Sequence, residues 1–444
     1  MKKLACITVL CALGTTACNS SKDMGENTQD ASDAAQGMSN GDAAARDSSV
    51  KLDANAAQDA ATAGDAQLSA ADASSASSDG AVSAGDAGVV STVLTSFVYV
   101  GGYGNPYPFR TYALDRATGA LQEQGSPQLT MGENPSFIAP SADHGFLYIA
   151  NEPWVGNEPG VTVASIATTG AATKLELQPA AGPLVFTSLD PQGKYVLAAS
   201  YNNGFVDVFP IKPDHTLDPV VDSVPFTKPG GGDPQTHSIR VHPSGKWAYA
   251  PNLGLDKVAQ FSFDESTGKL KPLSPPFVNA SKGPRHIAFN NMGSFAFVIT
   301  ELSSELISFR VGDNGLLTEV DRKSALPAGQ AGDKGAHVLV HPKNDAFVYA
   351  SNRTDNSIAV FSVAADGKVT QIQTLKTGGA IPRNFDIDSE GKYLIAANTG
   401  ESGKANGSLV VFAIGDDGKL TQRGALITGL EQPAAVSIVT LGSP

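Results

Sequence analysis

The sequence is poor in cysteine, with three in 444 residues, all among the first 18. Cys6, Cys11 and Cys18 leave the rest of the chain without a thiol, so neither a disulfide framework nor a thiolate metal site can form there. The H-x-H and H-E-x-x-H patterns of histidine zinc sites are also missing. We therefore expect no cofactor and no histidine-based metal centre, whereas an oxygen-ligated Ca²⁺ or Mg²⁺ remains open.

Aromatic residues are missing from residues 19–90, where Ala, Asp, Ser and Gly predominate and the net charge is -9. Such a composition cannot bury enough apolar surface to offset the entropy of the chain. Residues 19–92 are therefore predicted to form a disordered linker. The part of the chain after this linker carries a net charge of -6, which disfavours nucleic-acid binding because phosphate backbones would be repelled.

Long apolar runs are confined to the N-terminus, where two lysines precede LACITVLCALG and the small-residue segment TTAC. Residues 1–18 are therefore predicted to be a bacterial secretion signal. LGTTAC resembles the lipoprotein cleavage box, in which Cys18 would become lipidated, although Thr15 stands where that box usually has Leu. An ordinary signal that ends at Ala17 is the alternative.

No later apolar run approaches the roughly 20 residues needed to span a bilayer. We therefore predict an exported protein of the bacterial cell envelope, in the periplasm or at the outer membrane. Membrane attachment would occur only through the lipid on Cys18, and we expect a monomer.

A phrase of inner strand, second strand and outer hairpin recurs seven times after Ser96. Outer segments such as VAQFSFDESTGKL and LVVFAIGDDGKL alternate apolar residues and end in a turn, which is the period-two pattern of β-strands. The second strands are predicted to begin 46 to 52 residues apart, about the length of a four-stranded blade, near Phe97, Phe146, Tyr195, Trp247, Phe295, Phe347 and Tyr393. Residues 93–444 are thus predicted to form an all-β fold, a seven-bladed β-propeller.

The seventh inner strand is out of phase with the other six. PAAVSIVT is the last element of the chain, whereas the second strand that it should precede, SFVYVGGY, is the first. We therefore expect the C-terminal strand to complete the first blade, which leaves no open edge and makes the ring a single domain.

Polar residues are predicted to gather at one mouth of the central channel, because the start of an inner strand and the end of its antiparallel neighbour lie at the same end of the ring. The pairs are Pro135 with Glu152, His237 with Asn252, Arg285 and His286 with Glu301, His337 with Arg353, and Arg383 with Asn398. This set suits an anionic or polar small ligand. Alternatively, such residues tie blades together through buried hydrogen bonds. The other mouth receives hairpin turns such as HPSGK and DSEGK, which we interpret as structural.

Six segments carry a resemblance to a known family. They are NPSFIA, THSIRVHPSGKWAYAPNLGLDKV, GPRHIAF with TELSSEL, YASNRTDNSIAVF and PRNFDIDSEGKYLIAANTG. Through them, residues 96–440 resemble the propeller lactonases of the 6-phosphogluconolactonase, cycloisomerase-2 type. The resemblance implies a central cavity that binds a sugar lactone and activates water. The positions in this sequence that match the residues lining that cavity are His237, Arg285, His286, Glu301, Arg353 and Arg383. Two positions depart from the family, because relatives often carry an acidic residue at His337 and many have Asp at Asn252.

The hypothesis that follows is direct hydrolysis of an anionic or sugar-derived lactone. Glu301, His286 or His237 would take a proton from water, and Arg285, Arg353 and Arg383 would hold the substrate anion and the developing oxyanion, with His337, Asn252 and Glu152 as further substrate contacts. Glu301 must then face a water in the cavity, and a Glu301 buried in an inter-blade salt bridge would be excluded from the mechanism.

Export argues against 6-phosphogluconolactone as the substrate, because that lactone is made in the cytosol. Two other functions remain open, since this fold hosts many. One is a non-catalytic envelope propeller that binds a sugar, a peptide or a partner protein. The other, less favoured, is an activity like that of the muconate cycloisomerases.

Overall fold

The computed structural model describes residues 94–104, 107–154 and 158–442. The predicted signal, the predicted linker and Cys18 lie outside the described residues. None of the helices in the described part of the chain has the length and apolarity needed to cross a bilayer.

The described chain consists almost wholly of short antiparallel strands. In chain order they are β1 (Leu94–Gly102), β2 (Arg110–Leu114), β3 (Leu121–Glu123), β4 (Pro135–Pro140), β5 (Phe146–Asn151), β6 (Gly160–Ile166), β7 (Ala172–Pro179), β8 (Phe186–Leu189), β9 (Tyr195–Ser200), β10 (Phe205–Pro210), β11 (Asp222–Pro225), β12 (Arg240–Val241), β13 (Trp247–Asn252), β14 (Lys257–Asp264), β15 (Lys269–Asn279), β16 (Pro284–Phe289), β17 (Phe295–Thr300), β18 (Glu305–Val311), β19 (Leu317–Ser324), β20 (Gly335–Val340), β21 (Phe347–Asn352), β22 (Ser357–Val363), β23 (Val369–Lys376), β24 (Pro382–Ile387), β25 (Tyr393–Asn398), β26 (Gly407–Ile414), β27 (Leu420–Leu430) and β28 (Pro433–Gly442). One 3₁₀ turn, Leu253–Leu255, follows β13.

These strands form seven four-stranded sheets, which are the blades of a β-propeller. Blade 1 is β28 with β1 to β3, and blades 2 to 7 follow as β4–β7, β8–β11, β12–β15, β16–β19, β20–β23 and β24–β27. The predicted fold class is therefore confirmed, as is the closure of the first blade, because β28 pairs with β1 from Leu94 opposite Gly442 to Gly102 opposite Pro433. Six second strands begin at the predicted residue, and β1 begins three residues before Phe97.

Neighbouring blades are held together by buried apolar faces and by a repeated tyrosine contact. In three second strands a buried tyrosine hydroxyl donates to the carbonyl of the hairpin glycine of the next blade: Tyr99 to Gly170 at 2.8 Å, Tyr249 to Gly315 at 2.7 Å and Tyr349 to Gly418 at 2.9 Å. Each of these glycines has φ between 75° and 80°, a conformation that a residue with a Cβ adopts at a cost. The hairpin turns thus have a structural part in blade packing.

At the opposite mouth, the backbone of the residue after a blade's second strand is hydrogen-bonded to that of the residue before its inner strand. The backbone N–H of Glu152 donates to Asn134 O at 3.2 Å, and that of Glu301 donates to Gly283 O at 2.7 Å. Asn134 and Gly283 have φ of 47° and 70°, so the chain turns sharply as it enters these inner strands. This repeated turn brings the side chains that follow second strands to the rim of the channel.

Candidate active site

A small cavity with about 10 Å³ of free space, room for about one water molecule, lies where the inner strands begin. Its wall consists of Tyr103, Ser136, Phe137, Glu152, Val185, His237, Arg285, His286, Arg383, Asn384 and Ala434. Five of the residues predicted from the sequence therefore line it: Glu152, His237, Arg285, His286 and Arg383. Among the described residues, no group of three or more His, Cys, Asp or Glu side chains is arranged to hold a metal ion.

Consecutive residues line the cavity because five inner strands, those of blades 1, 2, 5, 6 and 7, contain a bulge at their start. In blade 5, Pro284 pairs with Thr300 and His286 with Ile299, which leaves Arg285 as the extra residue. The same shift leaves Ser136 unpaired in blade 2 and Arg383 in blade 7. A regular strand would send neighbouring side chains to opposite faces, whereas a bulge re-aims one of them. The bulge thus accounts for the presence of Arg285 and His286 in one wall.

Arg285 belongs to a buried ion-pair network that joins two blades. Its Nε donates to Glu301 Oε2 at 2.9 Å, and its Nη1 donates to the Ala336 carbonyl at 2.7 Å. Arg353, which follows β21 in blade 6, pairs through Nη2 with Glu301 Oε1 at 2.8 Å. Burial, and then the Arg353 guanidinium, lowers the pKa of Arg285 to about 9, which leaves it charged at neutral pH.

Glu301 is thus shared between two guanidinium groups and is 7% exposed. Burial alone would raise its pKa, but Arg353 and then Arg285 lower it below the ordinary value of 4.5. Both carboxylate oxygens are occupied, and the contact with Arg353 crosses from blade 5 to blade 6. The sequence-based hypothesis excludes Glu301 from the mechanism if it is buried in an inter-blade salt bridge, and the structure shows such a bridge. Neither Glu301 nor Arg353 is in the cavity wall.

Glu152 is the carboxylate that lines the cavity. The Tyr103 hydroxyl donates to its Oε2 at 3.2 Å, and the Arg383 guanidinium carbon lies 5.0 Å from the centre of the Tyr103 ring. Burial raises the pKa of Glu152 above the ordinary 4.5, although Arg383 lowers it in part. Glu152 is therefore more basic than an ordinary carboxylate, while two guanidinium groups stand in the same wall.

Three buried histidines form the floor behind these charged groups. The ring centres of His237 and His286 are 5.1 Å apart, and those of His286 and His337 are 5.0 Å apart. Burial, followed by nearby guanidinium groups, lowers the pKa of all three well below 6.5, so they are neutral at physiological pH. His337 lies behind His286 rather than in the cavity wall. His237 lines the cavity, and its Nδ1 has no hydrogen-bond partner among the described residues.

Asn252, predicted as a substrate contact, lies outside the cavity wall. Its Oδ1 accepts from Thr236 Oγ1 and its Nδ2 donates to the Ala250 carbonyl at 2.9 Å. Asn151 ends the second strand of blade 2 and is bound in the same way, with Thr162 as the donor. These asparagines therefore fit the alternative that polar residues here tie strands together.

Sequence reasoning missed Tyr103, which joins Glu152 to the rim. It follows the second strand of blade 1, the position occupied by Glu152 and Glu301 in their blades. The residue pairs predicted from the sequence do not include blade 1, because its inner strand comes from the other end of the chain. Tyr103 is the last residue of SFVYVGGY, so its place after the second strand can be found from the sequence.

Comparisons with known proteins agree with this architecture. The family model described as lactonase, 7-bladed beta-propeller, matches residues 97–438. The 6-phosphogluconolactonase of Bacillus subtilis (strain 168) is 30% identical over 332 residues, which cover 72% of this chain and 91% of that protein. The 6-phosphogluconolactonase of Serratia proteamaculans (strain 568) is 28% identical over 309 residues, covering 68% of this chain and 88% of that protein.

Solved structures give the same result for the fold. A protein from Bacteroides fragilis NCTC 9343 has a TM-score of 0.69 at 27% identity and covers 80% of this chain and 100% of its own. The periplasmic gluconolactonase of Pseudomonas aeruginosa has a TM-score of 0.69 at 24% identity, covering 78% of this chain and 99% of its own. At that identity the second likeness bears on the fold alone.

Proposed function

The chain belongs to the family of seven-bladed β-propeller lactonases, and from this premise we propose that it hydrolyses an anionic or sugar-derived lactone at the mouth of the channel cavity. One observation carries the proposal: the cavity wall holds a carboxylate of raised pKa, Glu152, together with Arg285 and Arg383. A base and two fixed cations in one small cavity are what attack of water on a lactone carbonyl requires.

In the proposed reaction Glu152 takes a proton from a water molecule, whose oxygen attacks the lactone carbonyl carbon. The carbonyl oxygen gains negative charge, which Arg285 or Arg383 stabilises. Collapse of the tetrahedral intermediate breaks the ring C–O bond, and the protonated Glu152 returns its proton to the departing alkoxide. The product is the open hydroxy acid, and atoms and charge balance without a cofactor.

Glu301 and Arg353 have a positioning part in this scheme. Glu301 accepts from Arg285 and bonds to Arg353 in the next blade, so the pair holds the Arg285 guanidinium in one orientation. Fixed donors cost no reorganisation as charge develops in the transition state. Their effect on the reaction therefore passes through Arg285.

His237 is the second candidate for the base. Its neutral ring lines the cavity, and its buried Nδ1 has no hydrogen-bond partner among the described residues. Its depressed pKa makes it a weak base, whereas the raised pKa of Glu152 favours proton removal near neutral pH. We therefore assign His237 a substrate-binding part.

We further propose that the propeller acts as a monomer outside the cytosol, attached by a lipid on Cys18. The support is the N-terminal sequence: a charged start, an apolar run and LGTTAC. Membrane fractionation of the wild type and the Cys18→Ser variant tests the anchor. A Cys18→Ser protein that still sediments with membranes would contradict it.

The test of the activity is pH-stat turnover of a lactone panel that includes 6-phosphogluconolactone and glucono-δ-lactone. We expect turnover above the spontaneous rate for at least one lactone and its loss in Glu152→Gln. No turnover above background across the panel would contradict the enzyme assignment and favour an envelope propeller that binds its ligand without reaction.

A further inference from the structure

Two exposed apolar side chains lie close in sequence to the rim of the cavity. Five large hydrophobic side chains of the described residues are conspicuously exposed: Leu129, Trp154, Leu175, Met292 and Leu302. Trp154 lies two residues after Glu152 and Leu302 directly after Glu301, the rim residues of blades 2 and 5, whereas Met292 lies in the β16–β17 turn and Leu175 on the outer strand β7. Of the five, Trp154 contacts the cavity wall, because its ring stacks on Tyr103.

Trp154 extends the cavity wall outward. Its indole is 66% exposed, yet it stacks on the buried Tyr103 ring, with ring centres 6.0 Å apart and planes 16° apart. Tyr103 lines the cavity and donates to Glu152. A flat aromatic surface therefore continues from the carboxylate to the solvent, and a ligand that reaches out of the cavity would meet the indole first.

Polar groups border this aromatic surface. The Trp154 backbone N–H donates to Glu133 Oε1 at 3.4 Å, which places a carboxylate at the base of this residue. A sugar ring presents C–H groups on its face and hydroxyl groups at its edge, so it can pack on an indole while its hydroxyls donate to a carboxylate. An anionic group of a ligand at this position would be repelled by Glu133. A large apolar partner would bury the Glu133 carboxylate away from water.

The volume of the cavity limits what lies inside it. Its free space of about 10 Å³ holds about one water molecule. A lactone ring must therefore lie over the mouth of the cavity, and further parts of a longer substrate must lie farther out.

We propose that the substrates are lactones of glycosylated aldonic acids, with the lactone ring beside Glu152 and the adjoining sugar ring stacked on Trp154. This inference rests on the proposed lactonase function. Water attack opens only the lactone C–O bond, and the glycosidic bond stays intact. Trp154 would then determine specificity for disaccharide over monosaccharide lactones without contact with the reacting atoms.

The kinetic test compares glucono-δ-lactone with the δ-lactone of cellobionic acid, using the full chain. We expect Trp154→Ala to lower kcat/KM for the disaccharide lactone roughly tenfold, which corresponds to the loss of one well-packed aromatic contact. The monosaccharide lactone should be hydrolysed within about twofold of the wild-type rate, and Trp154→Phe should restore most of the loss. Leu302→Ala, an exposed apolar residue at the same mouth, is the matched control. Equal effects on the two lactones, or none, would overturn the proposal.

A binding test separates this proposal from the activity. The chain has two tryptophans, so Trp247→Phe leaves Trp154 as the fluorescent reporter. Titration with cellobionate, the open acid that cannot be hydrolysed further, should change its emission in a saturable way, and gluconate should not. Saturable binding without lactone turnover would contradict the proposed function and keep the sugar subsite. Turnover of both lactones with no fluorescence response would overturn the subsite alone.

Discussion

The Nδ1 atoms of His286 and His337 lie 2.7 Å apart in the buried floor of the cavity. One of the two nitrogens must therefore carry a proton and the other must accept it. Arg285 Nη1 lies 3.3 Å from His286 Nε2, and because a guanidinium can only donate, this nitrogen accepts. His286 therefore holds its proton on Nδ1 and donates to His337, which holds its own proton on Nε2. With both nitrogens engaged, His286 is not free to act as the general base.

This arrangement predicts specific tautomers. In protein with ¹⁵N-labelled histidine, His286 should show a protonated Nδ1 and an unprotonated Nε2, and His337 the reverse. Two-bond ¹H–¹⁵N correlation spectra at pH 7 distinguish these forms. Assignments can be made with His286→Gln and His337→Gln. A His286 protonated on Nε2 would contradict the contact with Arg285.

The three neutral histidines also predict acid sensitivity. Their folded pKa values lie well below 6.5, so below about pH 6.5 the unfolded chain binds more protons than the folded chain. The free energy of unfolding is therefore at its full value above pH 6.5 and falls as the pH drops further. Denaturant unfolding between pH 8 and 5 measures this slope, and His337→Gln should reduce it. A variant with the wild-type slope would show that His337 titrates normally.

Glu152→Gln should abolish the basic group of the proposed reaction. We expect kcat to fall about 10²- to 10⁴-fold, the usual contribution of a general base. In the wild type, kcat should fall on the acid side as Glu152 is protonated, at a pH above its ordinary 4.5 because its pKa is raised. Steady-state rates from pH 4 to 8 measure this limb. The control is His237→Asn, for which KM should rise more than kcat falls; the reverse result would assign the base to His237.

The propeller could be predicted from the sequence because its signal is repeated seven times. A period of about 50 residues, the alternation in segments such as that before Asp264, and the out-of-phase final strand each limit the topology. The rim could be predicted as well, since antiparallel pairing alone brings Arg285 and Glu301 to the same end of a blade. Both inferences use backbone periodicity, which the sequence records directly.

The hydrogen-bond and ion-pair partners of individual side chains could not be predicted in the same way. Glu152 and Glu301 follow equivalent strands and are alike in sequence, yet two guanidinium groups hold one and the cavity contains the other. That difference depends on which residues the neighbouring blades place within about 3 Å. The bulges that turn Arg285 and Arg383 into the cavity are register shifts, and no residue type in this sequence predicts them.

Loss of the shared carboxylate should destabilise the ring. Glu301→Gln would leave the buried Arg285 and Arg353 guanidinium groups uncompensated, at a cost of about 3–5 kcal/mol in the free energy of unfolding. Adding Arg353→Met should recover part of that loss, because one of the two unpaired charges is removed. Denaturant unfolding of the two single variants and the double variant measures the coupling. Additive effects would mean that the ion pair does not connect blades 5 and 6 energetically.

Asp207 is a buried carboxylate outside the cavity wall. Asp207 on β10 is 1% exposed, and neither oxygen meets hydrogen-bond geometry in the described part of the chain, although the hydroxyl of Ser223, the residue opposite on β11, lowers its pKa in part. Burial raises its pKa from 3.8 to about 6. The same strand position is a buried alanine in blades 4 and 6, Ala259 and Ala359, each paired with an alanine of the second strand just as Asp207 pairs with Ala198. Ile307 and Val410 occupy this position in blades 5 and 7, so four of the other six blades have an apolar residue where blade 3 has a charge, and blades 1 and 2 have a polar one.

Because the folded pKa of Asp207 is raised, its contribution to stability is fully present below about pH 4 and is lost as the pH rises through about 6. At pH 7.5 the ionised carboxylate is a net cost, so Asp207→Ala should raise the free energy of unfolding by about 1–3 kcal/mol. At pH 4, where the wild-type group is protonated, the gain should shrink. Thermal unfolding of both proteins at the two pH values measures it. Ala198→Ser, a polar change at the paired position, is the control and should not produce this pH dependence; an Asp207→Ala protein less stable at pH 7.5 would show that the carboxylate has a partner.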